Sequence, residues 1–169
     1  MKTNPIIKLI DTVCEVFMMG QHDKPFFPRN GTTYCNEAVN QVLLKYEYKK
    51  FNKPSFDHPY NAVWANSMIW EMMNNKNDWM AIAGDVAQCH ANCGSVVIAG
   101  LKNLNGDHGH VCVVMPGTMS MSGHLNKMVP KVMNIGKDVF IGKGSSYAFH
   151  TEPLYFVLLS TIIKEQQNA

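Results

Sequence analysis

The chain has 169 residues, of which 46% are hydrophobic and 17% are charged, and its formal net charge is +2. This composition excludes a disordered chain, and the small net charge gives no sign of a nucleic-acid-binding protein. A chain of this length can bury a sizeable core without disulfides, so we expect one domain over residues 1–169.

The first predicted element is an amphipathic helix over residues 5–19, ended by Gly20. Lys8, Asp11 and Glu15 interrupt its apolar residues, which is unlike a secretory signal peptide. No other stretch is long and apolar enough to span a membrane. The helical spacing places Cys14 on the apolar stripe, where we expect it to pack in the core.

A second helix is predicted over residues 34–47, and a cysteine stands at its start. Loop residues precede Cys35, and apolar residues follow it at the spacing of one helical face. A thiol in the first turn of a helix faces unpaired N–H groups and the positive end of the helix dipole, and both favour the thiolate. The chain has five cysteines, an odd number, so at least one thiol stays unpaired. Cys35 is therefore the predicted nucleophile.

A third helix is predicted over residues 61–75. Its methionines follow helical spacing, which is typical of a packed core rather than of a ligand site. Trp64 flanks this stripe and is a candidate substrate contact.

A fourth helix is predicted over residues 83–93, ended by Gly94. It contains Cys89, His90 and Cys93, which leave open a zinc or redox site. No second pair of ligands follows at the spacing of zinc sites, so we expect Cys89 and Cys93 to pack in the core instead.

The second half of the chain changes from helical to extended patterns. β-rich runs at residues 95–101 and 109–115 flank a turn of Asn, Gly and Asp residues and predict a hairpin. The polar residues 118–128 predict a loop over the site. Three further strands are predicted at residues 131–135, 138–141 and 154–160, followed by a frayed tail beyond residue 164. Helices followed by strands indicate an α+β fold, with N-terminal helices packed on an antiparallel β-sheet.

His110 opens the second strand of the hairpin and is the predicted base for Cys35. Alternation along the strand sends His110 and Cys112 to one face and Val111 and Val113 to the other. The imidazole would take the proton of the thiol and later protonate a leaving amine. Cys112 is the rival nucleophile, but in the middle of a strand it would be buried.

A third polar residue should hold the imidazole in one tautomer. Asn134, on the neighbouring predicted strand, is the main candidate, because an amide oxygen accepts from the ring N–H without adding charge. Asp107, Asp138 and His150 are the alternatives. Backbone N–H groups at the start of the cysteine helix, with Tyr34 nearby, are the predicted oxyanion hole.

Three pieces of the sequence resemble the NlpC/P60 and CHAP group of papain-like cell-wall hydrolases. They are residues 33–38 around the cysteine, residues 96–117 with the Gly-His strand, and residues 132–136 on the next strand. The central piece is also similar to amidase effectors of the type VI secretion system and to CHAP-type phage lysins. The resemblance implies a papain-like NlpC/P60 fold.

By this resemblance Cys35 is the nucleophile, His110 the base and Asn134 the orienting residue. The activity it implies is that of a cysteine peptidase or amidase that cleaves amide bonds in the peptides of peptidoglycan without a metal or other cofactor. Asn36 departs from the group's pattern, because many members carry a small residue after the nucleophile.

The expected partner is thus a peptidoglycan peptide, and an inhibitor or immunity protein is left open. Without a recognisable export signal, we expect synthesis in the cytoplasm and delivery to the cell wall or periplasm by another component. Three alternatives remain: an acyltransferase or protein-modifying toxin on the same fold, a binding module that has lost the chemistry, and the zinc or redox protein.

Overall fold

The computed structural model describes residues 4–106 and 108–162; the predicted frayed tail lies outside them. The helices are α1 Pro5–Met18, α2 Cys35–Leu44, α3 Ala65–Asn74 and α4 Gly84–Asn92. The strands are β1 Trp79–Ile82, β2 Val97–Leu101, β3 His110–Val114, β4 Ser120–Ser122, β5 Lys127–Val129, β6 Lys131–Ile135, β7 Val139–Gly144 and β8 Leu154–Leu158. Short 3₁₀ turns follow β7 and β8 at Ser145–Tyr147 and Leu159–Thr161.

Six of these strands form one antiparallel sheet in the order β1-β8-β2-β3-β6-β7. Strands β2 and β3 are the predicted hairpin, with Leu101 opposite His110 and Val97 opposite Val114. They lie at the centre of the sheet, because β8 pairs with β2 on one side and β6 pairs with β3 on the other. The predicted α+β class, with helices and an antiparallel sheet, is confirmed.

Different layers cover the two faces of the sheet. Helices α1, α2 and α3 pack on one face, against side chains that include Ile98, Val111 and Val113. Helix α4 packs on the other face, against Cys112 and Val114 among others. The alternation predicted along β3 is therefore confirmed. Helix α2 lies directly against β3, which brings the start of one close to the start of the other.

Helix α1 begins at a capped end. The side-chain oxygen of Asn4 accepts a hydrogen bond from the backbone N–H of Ile6 at 2.9 Å, and Pro5 occupies the first helical position. The buried residues are Leu9, Thr12, Val13 and Val16. This stripe lies one position N-terminal to the predicted one, so Cys14 is exposed and its expected place in the core is wrong. None of the helices in the described ranges has the length and apolar content to cross a lipid bilayer.

Helix α4 ends at the predicted place, but the face that it buries is not the predicted one. It buries three side chains toward the sheet, namely Ala87, Gln88 and Ala91. Cys89 and Cys93 fall on its outer side and are exposed, so the expectation that they pack in the core is wrong. Gly94 follows the helix with φ +87°, and a Cβ there would lie 2.5 Å from the carbonyl carbon of Pro5.

Residues 118–128 are not a loop over the site, and that prediction is wrong. Strands β4 and β5 pair as a small hairpin, with Met121 opposite Met128. The hairpin contacts β7 and α4, so it lies on the sheet face opposite the helix that carries Cys35. Each strand has only three residues, which is too short for an alternating pattern to be recognised.

Strand β1 is an element that the sequence analysis does not predict. Trp79 at its start is fully enclosed and stands opposite Leu158 of β8. Its indole Nε1–H donates a hydrogen bond to the hydroxyl of Tyr48 at 2.9 Å, and its ring stacks on Phe51. The aromatic contacts thus fix this edge of the sheet to the segment that follows α2.

Candidate active site

Cys35 is the first residue of α2, as predicted, and only 4% of it is exposed. Tyr34 is the N-cap and provides no side-chain cap, and the first backbone N–H bonded within the helix is that of Ala38. The backbone N–H groups of Asn36 and, from β3, Val111 act on the sulfur and lower the pKa of the thiol. The thiol therefore lies among donors that stabilise a negative charge.

His110 adjoins this thiol at the start of β3. Its Nε2 lies 2.6 Å from Oδ1 of Asn134, and Nδ2 of that amide donates to the backbone oxygen of Asp138 at 2.6 Å. The second bond orients the amide, so that Oδ1 accepts from Nε2–H. Nδ1 is then the ring nitrogen left to interact with Cys35, which raises the pKa of His110.

Thiol and imidazole shift each other's proton affinity in opposite directions. Burial raises the pKa of the Cys35 thiol, but the hydrogen bond and charge interaction with His110 and the two backbone N–H donors outweigh it and lower the pKa overall. Burial lowers the pKa of His110, but the interactions with Cys35 and the hydrogen bond that Nε2–H donates to Asn134 outweigh it and raise the pKa overall. Both shifts favour a thiolate–imidazolium pair.

The imidazole is held from two further sides. Its ring packs against Phe149 at 5.1 Å between centroids, with the planes tilted by 54°. At Gly136, a Cβ would lie 2.7 Å from Cε1 of His110, so the ring occupies the space that any larger residue would fill. Since Phe149 belongs to the core on the α4 face, His110 and Cys35 meet around the end of β3.

A cleft of about 290 Å³ reaches the thiol. The residues that line it are Gly31, Thr32, Thr33, Cys35, Asn36, Trp64, Ala65, His108 and Gly109. This lining is made of small residues, hydroxyl and amide groups and two rings, with no carboxylate among the described residues. The sulfur of Cys35 can therefore be approached from solvent by a chain that carries polar carbonyl groups.

Trp64 is placed on the wall of this cleft, where a substrate contact was predicted. It is 53% exposed, and its ring lies 5.2 Å from that of His108 across a tilt of 40°. Tyr34 is placed differently, because its ring stacks on Phe26 and packs against the core. Only the backbone of Tyr34, as the N-cap of α2, stands next to the reacting sulfur.

Asn36 has a structural role that could not be predicted from its position after Cys35. Its Nδ2 donates to the backbone oxygen of Val63 at 3.1 Å. This bond holds the extended residues before α3 against α2. The backbone hydrogen bonds of Asn61 and Val63 with residues 51–53 keep this segment extended, and α3 begins at Ala65 rather than at residue 61. The amide thus connects the helix of Cys35 to the segment that carries Trp64.

The other predicted candidates lie apart from the pair. Cys112 is sealed in the core of the α4 face, where burial and the charge of Cys35 raise its pKa well above the ordinary range. Asp138 contributes only its backbone oxygen, and its side chain is exposed, as is His150. Asp107 lies outside the described residues. Of the candidates that the structure describes, only Asn134 contacts the imidazole.

The residues that could have held a metal do not form a site. Cys89 and Cys93 project outward from α4, and nowhere in residues 4–106 and 108–162 do three His, Cys, Asp or Glu side chains converge as metal ligands. The alternative of a zinc protein built on these cysteines and His90 has no support in this part of the chain.

Two contributors to the site were missed by sequence reasoning. Gly136 stands two residues after Asn134, and His108 stands two residues before His110. In an extended chain, residues two apart lie on the same side. This spacing relative to Asn134 and His110 was the signal in the sequence that could have identified Gly136 and His108.

The arrangement provides a nucleophile that lines a cleft, a base beside it, an amide that orients the base, and unpaired backbone donors, as covalent acyl-transfer chemistry requires. No protein-family model matches this chain, and no curated protein matches it.

Proposed function

We propose that the protein is a cysteine amidohydrolase with a papain-like NlpC/P60 fold that cleaves amide bonds in the peptides of peptidoglycan. The observation that carries the proposal is the Cys35–His110–Asn134 set beside an open cleft. Its chemistry supports the reaction type, and the resemblance of the motifs supports the substrate class.

The reaction begins from the thiolate–imidazolium pair. The sulfur of Cys35 attacks the carbonyl carbon of the scissile amide, and the carbonyl oxygen takes up the negative charge. That oxygen meets the backbone N–H of Cys35, which has no partner within α2. His110 then gives its Nδ1 proton to the nitrogen of the leaving amine as the C–N bond breaks, which leaves a thioester on Cys35.

Hydrolysis of the thioester restores the enzyme. The neutral imidazole of His110 takes a proton from water, whose oxygen attacks the thioester carbon. The C–S bond breaks, the carboxylic acid product leaves, and the thiolate and imidazolium are regenerated. Throughout both steps Asn134 keeps Nε2 protonated and Nδ1 turned toward the sulfur.

The lining of the cleft supports a peptide substrate. Thr32, Thr33 and Asn36 offer hydroxyl and amide groups for a peptide backbone, and Gly31 and Gly109 leave room for it to approach. Trp64 adds an aromatic surface for an apolar part of the ligand.

The proposal is tested with purified peptidoglycan sacculi incubated with the wild type, Cys35→Ala and Cys89→Ser. We expect the wild type and Cys89→Ser to release the same soluble peptides, because Cys89 is exposed on α4. Cys35→Ala should lose activity by about 10³-fold or more, as when the nucleophile of a covalent mechanism is removed. Equal release by the wild type and Cys35→Ala would exclude the assigned nucleophile.

A binding module with the same fold predicts an inert thiol. The lowered pKa of Cys35 and its hydrogen bond to His110 favour an enzyme over such a module. Iodoacetamide at pH 7, followed by mass spectrometry, distinguishes the two. Preferential labelling of Cys35 over the exposed Cys89 supports the enzyme, whereas an unlabelled Cys35 supports the module.

A further inference from the structure

The turn between β2 and β3 is tied to α3 by one side chain. Asn66 donates from Nδ2 to the backbone oxygens of Asn103 at 3.0 Å and Gly106 at 2.7 Å. Its Oδ1 accepts from the backbone N–H of Asn103 at 3.0 Å. Both donors and the acceptor of the amide are thus directed at the same turn.

Gly109 leaves room for the Asn66 amide because it has no side chain. A Cβ at Gly109 would lie 2.4 Å from Oδ1 of Asn66 and 2.9 Å from the backbone oxygen of Leu101. Any side chain there would push the turn away from α3. The glycine that precedes His110 is therefore required by the contact with Asn66.

The hydrogen bonds of Asn66 to the turn set the distance between the rings of Trp64 and His108, which both line the cleft. Trp64 stands two residues before Asn66, at the N-cap of α3, and His108 stands at the end of the tethered turn. Their rings are 5.2 Å apart and both line the cleft. Since His108 lies outside the strands, its distance from Trp64 depends on how the turn is held.

His110 is held in a different way. It pairs with Leu101 in the ladder between β2 and β3, bonds to Asn134 and packs against Phe149. Loss of the tie should therefore move His108 and leave the imidazole of His110 in place.

We propose that Asn66 is a positioning residue that sets the width of the cleft between Trp64 and His108 and so limits the size of the group that reaches Cys35. The part that concerns substrate affinity rests on the proposed function. The part that concerns access to Cys35 is independent of the proposed function, because it is tested with thiol reagents.

The first experiment compares two reagents of different size on Cys35. Cys14, Cys89 and Cys93 are exposed and are replaced by serine, which leaves Cys35 and the sealed Cys112. Alkylation rates are measured with iodoacetamide and with a fluorescein maleimide, before and after Asn66→Ala. Loss of the hydrogen bonds should raise the maleimide rate relative to iodoacetamide about tenfold. An unchanged ratio would overturn the proposal.

The matched control is Asn92→Ala. Asn92 also holds a loop, since its Oδ1 accepts from the backbone N–H of Gly117 at 2.8 Å, but this loop is not part of the cleft lining. The size ratio should stay at the wild-type value in this variant. Equal increases in both variants would show general loosening and would also overturn the proposal.

The second experiment separates Asn66 from the catalytic pair. The pH midpoint of Cys35 alkylation should be the same in Asn66→Ala as in the wild type, because His110 keeps its partners. A shifted midpoint would mean that Asn66 acts through the imidazole, contrary to the proposal. If sacculi are cleaved, KM for a soluble peptidoglycan fragment should rise about tenfold with little change in kcat. If they are not cleaved, the reagent ratio still decides the role of Asn66.

Discussion

A Cβ at Gly136 would lie 2.7 Å from Cε1 and 3.3 Å from Nε2 of His110, so the imidazole rests directly on the backbone that follows β6. The same Cβ would lie 3.3 Å from Nδ2 of Asn134. Position 136 therefore meets both partners of the 2.6 Å hydrogen bond between His110 and Asn134. The missing side chain is what allows that bond to form.

Gly136→Ala should displace the imidazole and weaken its bonds to Asn134 and Cys35. Overpacking of this kind costs about 1–3 kcal/mol, so we expect kcat/KM to fall by about tenfold or more. Gly123→Ala is the control, because a Cβ there meets nothing within 4 Å. Steady-state kinetics and circular dichroism of both variants test this, and wild-type kinetics in Gly136→Ala would contradict it.

Asn134→Ala should narrow the range of pH in which the proposed activity is observed. The reactive pair exists above the pKa of Cys35 and below that of His110. The hydrogen bond that His110 donates to Asn134 helps to raise the pKa of His110, so its loss should move the alkaline limit of activity to lower pH. Steady-state rates measured across the pH range check this shift.

Asn134→Asp provides the opposite change at the same position. A carboxylate beside the imidazole favours its protonated form, so the alkaline limit should move to higher pH than in the wild type. Identical pH profiles for the two variants would show that Asn134 does not act on the ionisation of His110.

The grouping of Cys35, His110 and Asn134 could be predicted because each of the three carries a local signal. Cys35 stands where loop residues give way to a helical pattern, and His110 opens a β-rich run after a turn. Asn134 lies in a strand whose predicted bounds, 131–135, agree with the structure. These signals depend on neighbours in the sequence, and the antiparallel sheet then brings the three together.

The elements that were missed depend on distant contacts. Strand β1 has four residues and is defined by its pairing with β8, more than 70 residues later. The stripe of α1 was misplaced because burial is decided by what the helix meets: Thr12 is buried while the larger and more apolar Ile10 is 37% exposed. The need for glycine at position 136 likewise depends on a distant residue, because it is the ring of His110 that packs on it.

Glu37→Gln should stabilise the protein at neutral pH. Burial raises the pKa of Glu37, and attraction to His58, 3.4 Å from Oε1, only partly offsets it. Oε2 is buried without a hydrogen-bond partner among the described residues. The carboxyl of Glu37 loses its proton at a higher pH in the native state than in the unfolded state. The ionised carboxylate therefore destabilises the fold, by an amount that is zero below the pKa of the unfolded state and grows as pH rises.

The expected gain in Tm is about 2–4 °C at pH 7, the shift that corresponds to about 1 kcal/mol in a chain of this length. The gain should disappear near pH 4, where the carboxyl is protonated in both states. Glu47→Gln is the control, because Glu47 is exposed. Thermal denaturation across this pH range tests the prediction, and a gain that does not depend on pH would contradict it.

Tyr48→Phe should destabilise the edge of the sheet without changing its packing. The variant keeps the ring that packs edge-on against Trp79 but removes the hydroxyl that accepts from Nε1–H at 2.9 Å. Trp79 is only 1% exposed, so its donor would stay buried without a partner, at a cost of about 1–3 kcal/mol. Tyr147→Phe is the matched control, because Tyr147 is 67% exposed and its hydroxyl can bond to water. Urea unfolding should give a lower midpoint for Tyr48→Phe alone, and equal midpoints for the two variants would show that the Trp79 bond contributes nothing to the free energy of unfolding.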